Sequence, residues 1–263
     1  MNNISERWYK TKRRDIEDKI DNGEMLSNKR KQYESPLKKY VLSITPVAFK
    51  EDQRYWAFCI GKVYKKTRNK TGKLVATIHR NSDKFPFAFF ENQEDGKDYF
   101  ISGEDYQGQT IICLNDGSRV DFIGEKAKRN MEFCWQKFHI SPDNNILAVE
   151  GYARNKPSEV TEYRGIRFFK FTDKMELPYE EFGNRISFHY DEAIGWEDES
   201  HFLVSVIEDR RKGDLERVRD LPKKERMKCY EENNFGRRNI VYRVPVEGGE
   251  EDIKEVYSEW ITT

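Results

Sequence analysis

Carboxylates gather at three points where apolar, strand-like runs end. Glu104-Asp105-Tyr106 lies between glycines in GEDYQG (103–108), Glu150-Gly151-Tyr152 closes ILAVEGY, and Glu208-Asp209 closes FLVSVIED. Adjacent acids between glycines can hold a cation, an amine or a partner's arginine. Acids converging on one pocket can do more, since one kept protonated and one ionised are the working pair of a glycoside hydrolase. Glu104, Asp105, Glu150 and Glu208 are the candidates for such a hydrolase. Neighbouring side chains in a strand point to opposite faces, so Glu104 and Asp105 share a site only where the strand has ended. The plainer expectation is an acidic rim without chemistry, and no residue is assigned a catalytic role.

Other chemistry finds little support. His79, His139, His189 and His201 show no HxH, HxxxH or HExxH spacing, so no metal ligand set is assigned. His139 and His201 read as strand residues with satisfied ring nitrogens. Ser141 lacks a G-x-S-x-G setting, and neither GxxxxGK[ST] nor GxGxxG occurs, so no nucleotide cofactor is expected. Two basic segments could meet a partner instead. WYKTKRR (8–14) mixes Trp8 with Arg13 and Arg14, a pattern that suits nucleic-acid backbones but more often belongs to a docked helix. The excursion 210–238 carries Arg210 and Arg211 with three candidate apolar anchors, Met227, Tyr230 and Phe235.

The elements that must position these residues are mostly strands. Residues 1–40 form a helical arm: Tyr9, Arg13, Ile16 and Ile20 fall on one helix face, Asn22-Gly23 stops it, and a second short helix is expected from Ser27 to Tyr33. From residue 41 to 263 one grammar recurs: apolar strand, acidic turn, apolar strand, hairpin or insertion, apolar strand. The copies are 89–122, 138–152 with 166–182, and 193–209 with 239–256, with a fainter one at 48–80. Pro142-Asp143 and Asp95-Gly96 reverse the chain, while Asn115-Asp116-Gly117 and Glu247-Gly248-Gly249 supply positive-φ hairpin residues. Trp135 and Trp196 stand at matching points and should wedge between units.

The phrase SPDNNILAV (141–149) resembles the blade hairpin of WD40-like β-propellers, and the repeat spacing is near the roughly 40–50 residues of such blades. GEDYQGQT (103–110), FCW (133–135) and SPDNNILAVEGY (141–152) together resemble an uncharacterised bacterial family, which implies no activity and no catalytic residue. The expected fold is therefore all-β with N-terminal helices and a helical insertion. It should consist of propeller-like antiparallel sheets in about four units, with an open or incomplete ring.

Composition narrows the function classes. Lys plus Arg equals Asp plus Glu at 47 each, so no global field favours nucleic acid or anionic membrane. Aromatics reach 14% against 36% charged residues, which suits a polar surface over an aromatic core rather than disorder. The N-terminus lacks a signal-like apolar stretch, no run spans a bilayer, and Cys59, Cys113, Cys134 and Cys229 form no CxxC pair. A cytoplasmic protein with reduced thiols follows. The favoured expectation is a non-enzymatic module that recognises a protein partner, such as an inhibitor, immunity or anti-defence protein, with oligomerisation open. Its candidate binding residues are Glu104, Asp105, Tyr106, Glu150, Tyr152, Arg210, Arg211, Met227, Tyr230, Phe235, Trp8, Arg13 and Arg14. The alternatives are the carboxylate hydrolase and nucleic-acid binding through 7–14 and 210–238.

Overall fold

Each copy of the repeat grammar becomes one antiparallel sheet. The computed structural model describes residues 4–67, 70–91, 96–104, 107–129, 131–153 and 163–261. The second sheet runs β6 (Phe87–Glu91), β7 (Asp98–Gly103), β8 (Gly108–Cys113) and β9 (Arg119–Ile123). The third runs β10 (Cys134–Ile140), β11 (Ile146–Ala153), β12 (Tyr163–Lys170) and β13 (Glu181–Ile186). The fourth runs β14 (Glu192–Trp196), β15 (His201–Arg211), β16 (Phe235–Pro245) and β17 (Lys254–Trp260). All three are up-and-down meanders in chain order, as propeller blades are.

The turns form for the reasons their residues suggest. At the SPDNN turn, Ser141 Oγ accepts the Ile146 N–H at 2.9 Å and Asn144 takes a φ of 63°. Between β7 and β8, Gln107 adopts a φ of 66° and its N–H donates to Glu104 O at 2.8 Å. Gly117, at +82°, turns β8 into β9.

The first sheet holds β3 (Tyr40–Glu51), β4 (Arg54–Thr67) and β5 (Lys70–Arg80), with β1 (Glu24–Met25) and β2 (Lys31–Glu34) both paired along the free edge of β3. The expected helix from Ser27 to Tyr33 is therefore only a 3-10 turn, Ser27–Lys29, followed by a strand. Lys31 to Glu34 find backbone partners on β3 from Ile44 to Val41, and that tertiary pairing outweighs local helix preference. The arm proper is one helix, α1 (Ile4–Asp21), and residues 24–34 belong to the first sheet. The later excursion is helical as expected. β15 and β16 extend into it, leaving a 3-10 turn, Val218–Asp220, and α2 (Lys223–Glu231) anchored by buried Val218, Leu221 and Cys229.

Packing is serial. Tyr40, Leu42, Val63 and Ile78 of the first sheet meet Phe100 and Ile112 of the second. Ile101 and Ile111, on the opposite face, meet Trp135, Leu147 and Val149 of the third. Ala148, Ile166 and Phe168 then face Phe202, Val204 and Ile240 of the fourth. Alternate residues of β7 and β11 thus feed different cores, which is why those strands read as continuous apolar runs. Each fully buried aliphatic or Phe side chain contributes about 1.5–3 kcal/mol. Trp196 does wedge between units, with its ring against Phe168 and Phe202 and its Nε1 donating to His139 O at 3.1 Å. None of the described buried clusters joins the fourth sheet to the first.

Candidate functional site

Glu104 lies at the end of β7, where Gly103 packs against Trp135. Its carboxylate is 2% exposed and pairs with Arg80 Nη1 at 3.5 Å. Arg80 is also buried, donating through Nε to Ser102 Oγ at 3.1 Å and through Nη1 to His79 O at 3.0 Å. Tyr9 of α1 closes the group, and a Cβ on Gly108 would collide with both Glu104 Oε1 and Tyr9 Oη. Burial, reinforced by the Glu104 charge, pushes the Tyr9 phenol well above its usual range. Glu104 is thus enclosed between helix and sheet rather than exposed on a rim. Asp105 and Tyr106 lie outside the described residues.

The basic arm docks in the same place. Tyr9 packs on Ile123 and Ala127 with Trp8 half-buried beside them, and Ile16 and Ile20 pack on Val47 and Phe58. Arg13 spends its charge on Asp121 at 3.0 Å and lies over the Tyr9 ring. Burial alone would raise the Asp121 carboxyl, yet Arg119 and Arg13 hold it below the usual carboxylate value. Of the three arm residues proposed for binding, only Arg14 is exposed.

Glu150 sits on the face of β11 that looks toward the fourth sheet, in a cleft of about 730 Å³. His139 Nε2 lies 2.8 Å from Oε1, Lys137 Nζ 3.4 Å away, and the Tyr190 hydroxyl donates to Oε2 at 3.5 Å. Lys137 is the direct cross-strand neighbour of Glu150 and His139 the diagonal one, the pairing that alternate residues of a hairpin create. Burial works to raise the Glu150 carboxyl, but the His139 hydrogen bond and the Lys137 charge bring it below its ordinary value. Burial and the Glu150 charge raise the Tyr190 phenol. Tyr152, Arg164, Phe188 and His189 complete the walls. Of the sequence-chosen residues, this cleft unites Glu150 with Tyr152.

Glu208 has a third, separate environment. Its carboxylate meets Arg210 at 2.8 Å, Arg217 at 3.0 Å and Arg219 at 3.6 Å, and Arg210 and Arg217 also donate to the Tyr242 hydroxyl. Arg211 is spent on Asp214, Glu216 and Glu225. Arg210 and Arg211, expected to face a partner, instead tie the excursion to its own sheet. Glu104, Glu150 and Glu208 lie in separate environments and share no partner among the described residues, and hydrogen bonding favours the ionised form of Glu150.

The anchors fare better. Met227 and Tyr230 are 52% and 46% exposed, and Phe235 stacks edge-on against Tyr230 while lining a recess of about 840 Å³ with Leu215, Trp260 and Ile261. Trp260 and Ile261 also border a shallow depression on the outer face of the fourth sheet, formed by Ser205, Ile207, Asn239 and Glu259. Sequence reasoning passed over Ile207, Tyr257, Trp260 and Ile261. The signal was available, because β15 and β17 keep apolar residues on both faces.

The donor atoms of Glu197, Asp198 and His201 lie within 4.8 Å of one another, and this is the described grouping with metal-ligand character. Asp198 is already engaged by the N–H groups of Ser200 and His201, and the Ser200 N–H with the His201 side chain pulls it down to about 2, so the group caps a turn. Cys59, Cys113, Cys134 and Cys229 are all buried. Among the described residues no helix is long and apolar enough to cross a membrane. No protein-family model and no curated protein sequence matches the chain.

Proposed function

We propose that the protein is a non-enzymatic recognition module, a cytoplasmic WD40-like scaffold whose fourth sheet docks a partner protein. The observation that supports this reading is the outer face of that sheet. Its inner face is packed on the third sheet, whereas Ile207 and Tyr257 on the outer face are 44% and 53% exposed. The face continues past Glu259 and Ile261 toward the recess beside Phe235, which Trp260 also lines from the end of the last strand, with Met227 and Tyr230 on the adjoining excursion. Apolar side chains grouped on a sheet face and rimmed by Glu192, Asn239 and Arg237 have the make-up of an interface core and polar rim. Binding without chemistry suits an inhibitor, immunity or anti-defence role in a bacterial or phage setting.

The test is affinity capture with the wild type, Ile207→Asp and Tyr55→Asp, the last an exposed control on the first sheet. One stoichiometric protein retained by wild type and Tyr55→Asp but lost with Ile207→Asp is the expected result. Equal retention by all three, or retention by none, refutes the reading.

A further inference from the structure

A second surface carries an inference independent of protein docking. The cleft around Glu150 shares Lys84, Gln136 and Lys137 with a neighbouring cavity of about 410 Å³, lined by Lys29, Lys31, Tyr33 and Phe87. The two form one groove from the edge of the first sheet to the gap between the third and fourth. Its charge is uneven in a chain whose net charge is zero. Lys29, Lys31, Lys84 and Arg164 line it, all exposed, and none makes an ion pair among the described residues. Two of the three acids that line the groove are otherwise occupied; the third, Asp83, is exposed and makes no ion pair among the described residues, so the cations remain in excess. Glu150 is met by His139 and Lys137, and Asp191 accepts the Ile207 N–H.

Aromatic side chains alternate with those cations. Tyr33 is 38% exposed beside Lys31, and half-buried Tyr190 and Phe188 lie near Arg164. Cations spaced along a groove neutralise successive phosphates, and interleaved rings offer stacking faces for bases. Cavities of about 410 and 730 Å³ have the size of sites that take small ligands, which suits single nucleotides of an unpaired strand rather than a duplex. We propose that this groove binds single-stranded nucleic acid, with Lys29, Lys31, Lys84 and Arg164 on phosphates and Tyr33 as a stacking platform.

The experiment is fluorescence anisotropy of labelled oligothymidylate and oligouridylate about twelve nucleotides long, over salt from about 50 to about 300 mM. Four phosphate contacts at about 0.7 each give a log–log salt slope of about −3. Lys84→Ala and Arg164→Ala should each weaken binding about three- to tenfold and flatten the slope by about 0.7. Tyr33→Ala should weaken it at least about fivefold with the slope unchanged. Competition by a duplex of the same length should be at least about tenfold poorer than by the strand. Equal competition by a mononucleotide would reassign the groove to a free nucleotide and overturn the strand. Absence of binding at the lowest salt, or Lys84→Ala and Arg164→Ala binding like wild type, overturns the site itself.

Discussion

Removing the Glu208 carboxylate should loosen the fourth sheet's helical excursion while sparing the rest of the stack. Truncating one partner of a buried ion pair generally costs about 3–5 kcal/mol, because the other charge is left without water or a counter-ion. Here the three arginines differ. Arg210 is 13% exposed, whereas Arg217 and Arg219 are 32% and 61% exposed and can turn toward solvent. The stranded charge is therefore chiefly Arg210, which keeps the Tyr242 hydroxyl and the Leu215 carbonyl as acceptors and Glu255 as a more distant counter-ion at 3.9 Å. A loss of about 2–3 kcal/mol follows for Glu208→Ala in urea unfolding. Arg219→Ala, which removes only the outermost cation, should cost about 0.5 kcal/mol or less. Hydrogen exchange locates the effect: amides of Leu215 to Glu231 should exchange faster in Glu208→Ala, and those of β3 and β4 should not. A loss under about 0.5 kcal/mol, or equal acceleration in the first sheet, would refute the view that Glu208 holds the excursion down.

Two further outcomes follow from the other carboxylates. Gly108→Ala puts a methyl group where Glu104 and Tyr9 meet, so α1 must shift at a cost of about 1–3 kcal/mol, and trypsin should then cut at Lys10 or Lys12 in otherwise folded protein. Glu150 has a folded-state value below its ordinary 4.5, so its contribution is complete above that pH and fades as pH falls through the lowered value. Glu150→Gln should accordingly flatten the acid limb of the stability curve below about pH 4.5, and an unchanged limb would contradict the His139 and Lys137 pairing.

The sheets were legible because each hairpin declares itself locally. SPDNN, NDG and the alternation in FLVSV are short-range signals, and together they located three of the four units closely. The first sheet was harder, since Lys31 to Glu34 become a strand only against the edge of β3, a partner ten or so residues away. The site residues divide along the same line. Tyr9, Arg13, Ile16 and Ile20 were placed on one face by spacing alone, and the docking of that face could be anticipated. The fate of Arg210 and Arg211 could not, because a charged residue's availability depends on which acid lies opposite in the fold. Nothing in FLVSVIEDRR states that Glu208 already claims an arginine two residues on. Lys84 and Arg164 escaped notice for the converse reason: they are far apart in sequence and acquire meaning only as walls of a common groove.

The serial packing has a bearing on how such a chain can change length. In a closed ring the angles between successive blades must add to a full turn, so gaining or losing one blade alters every interface at once. Among the described residues each buried cluster joins two adjacent sheets only, and through them no angular sum is imposed. Duplicating or deleting a terminal unit disturbs one interface, and an excursion such as 212–234 can grow from a hairpin without straining the others. The architecture thus tolerates variation in unit number that a ring would forbid.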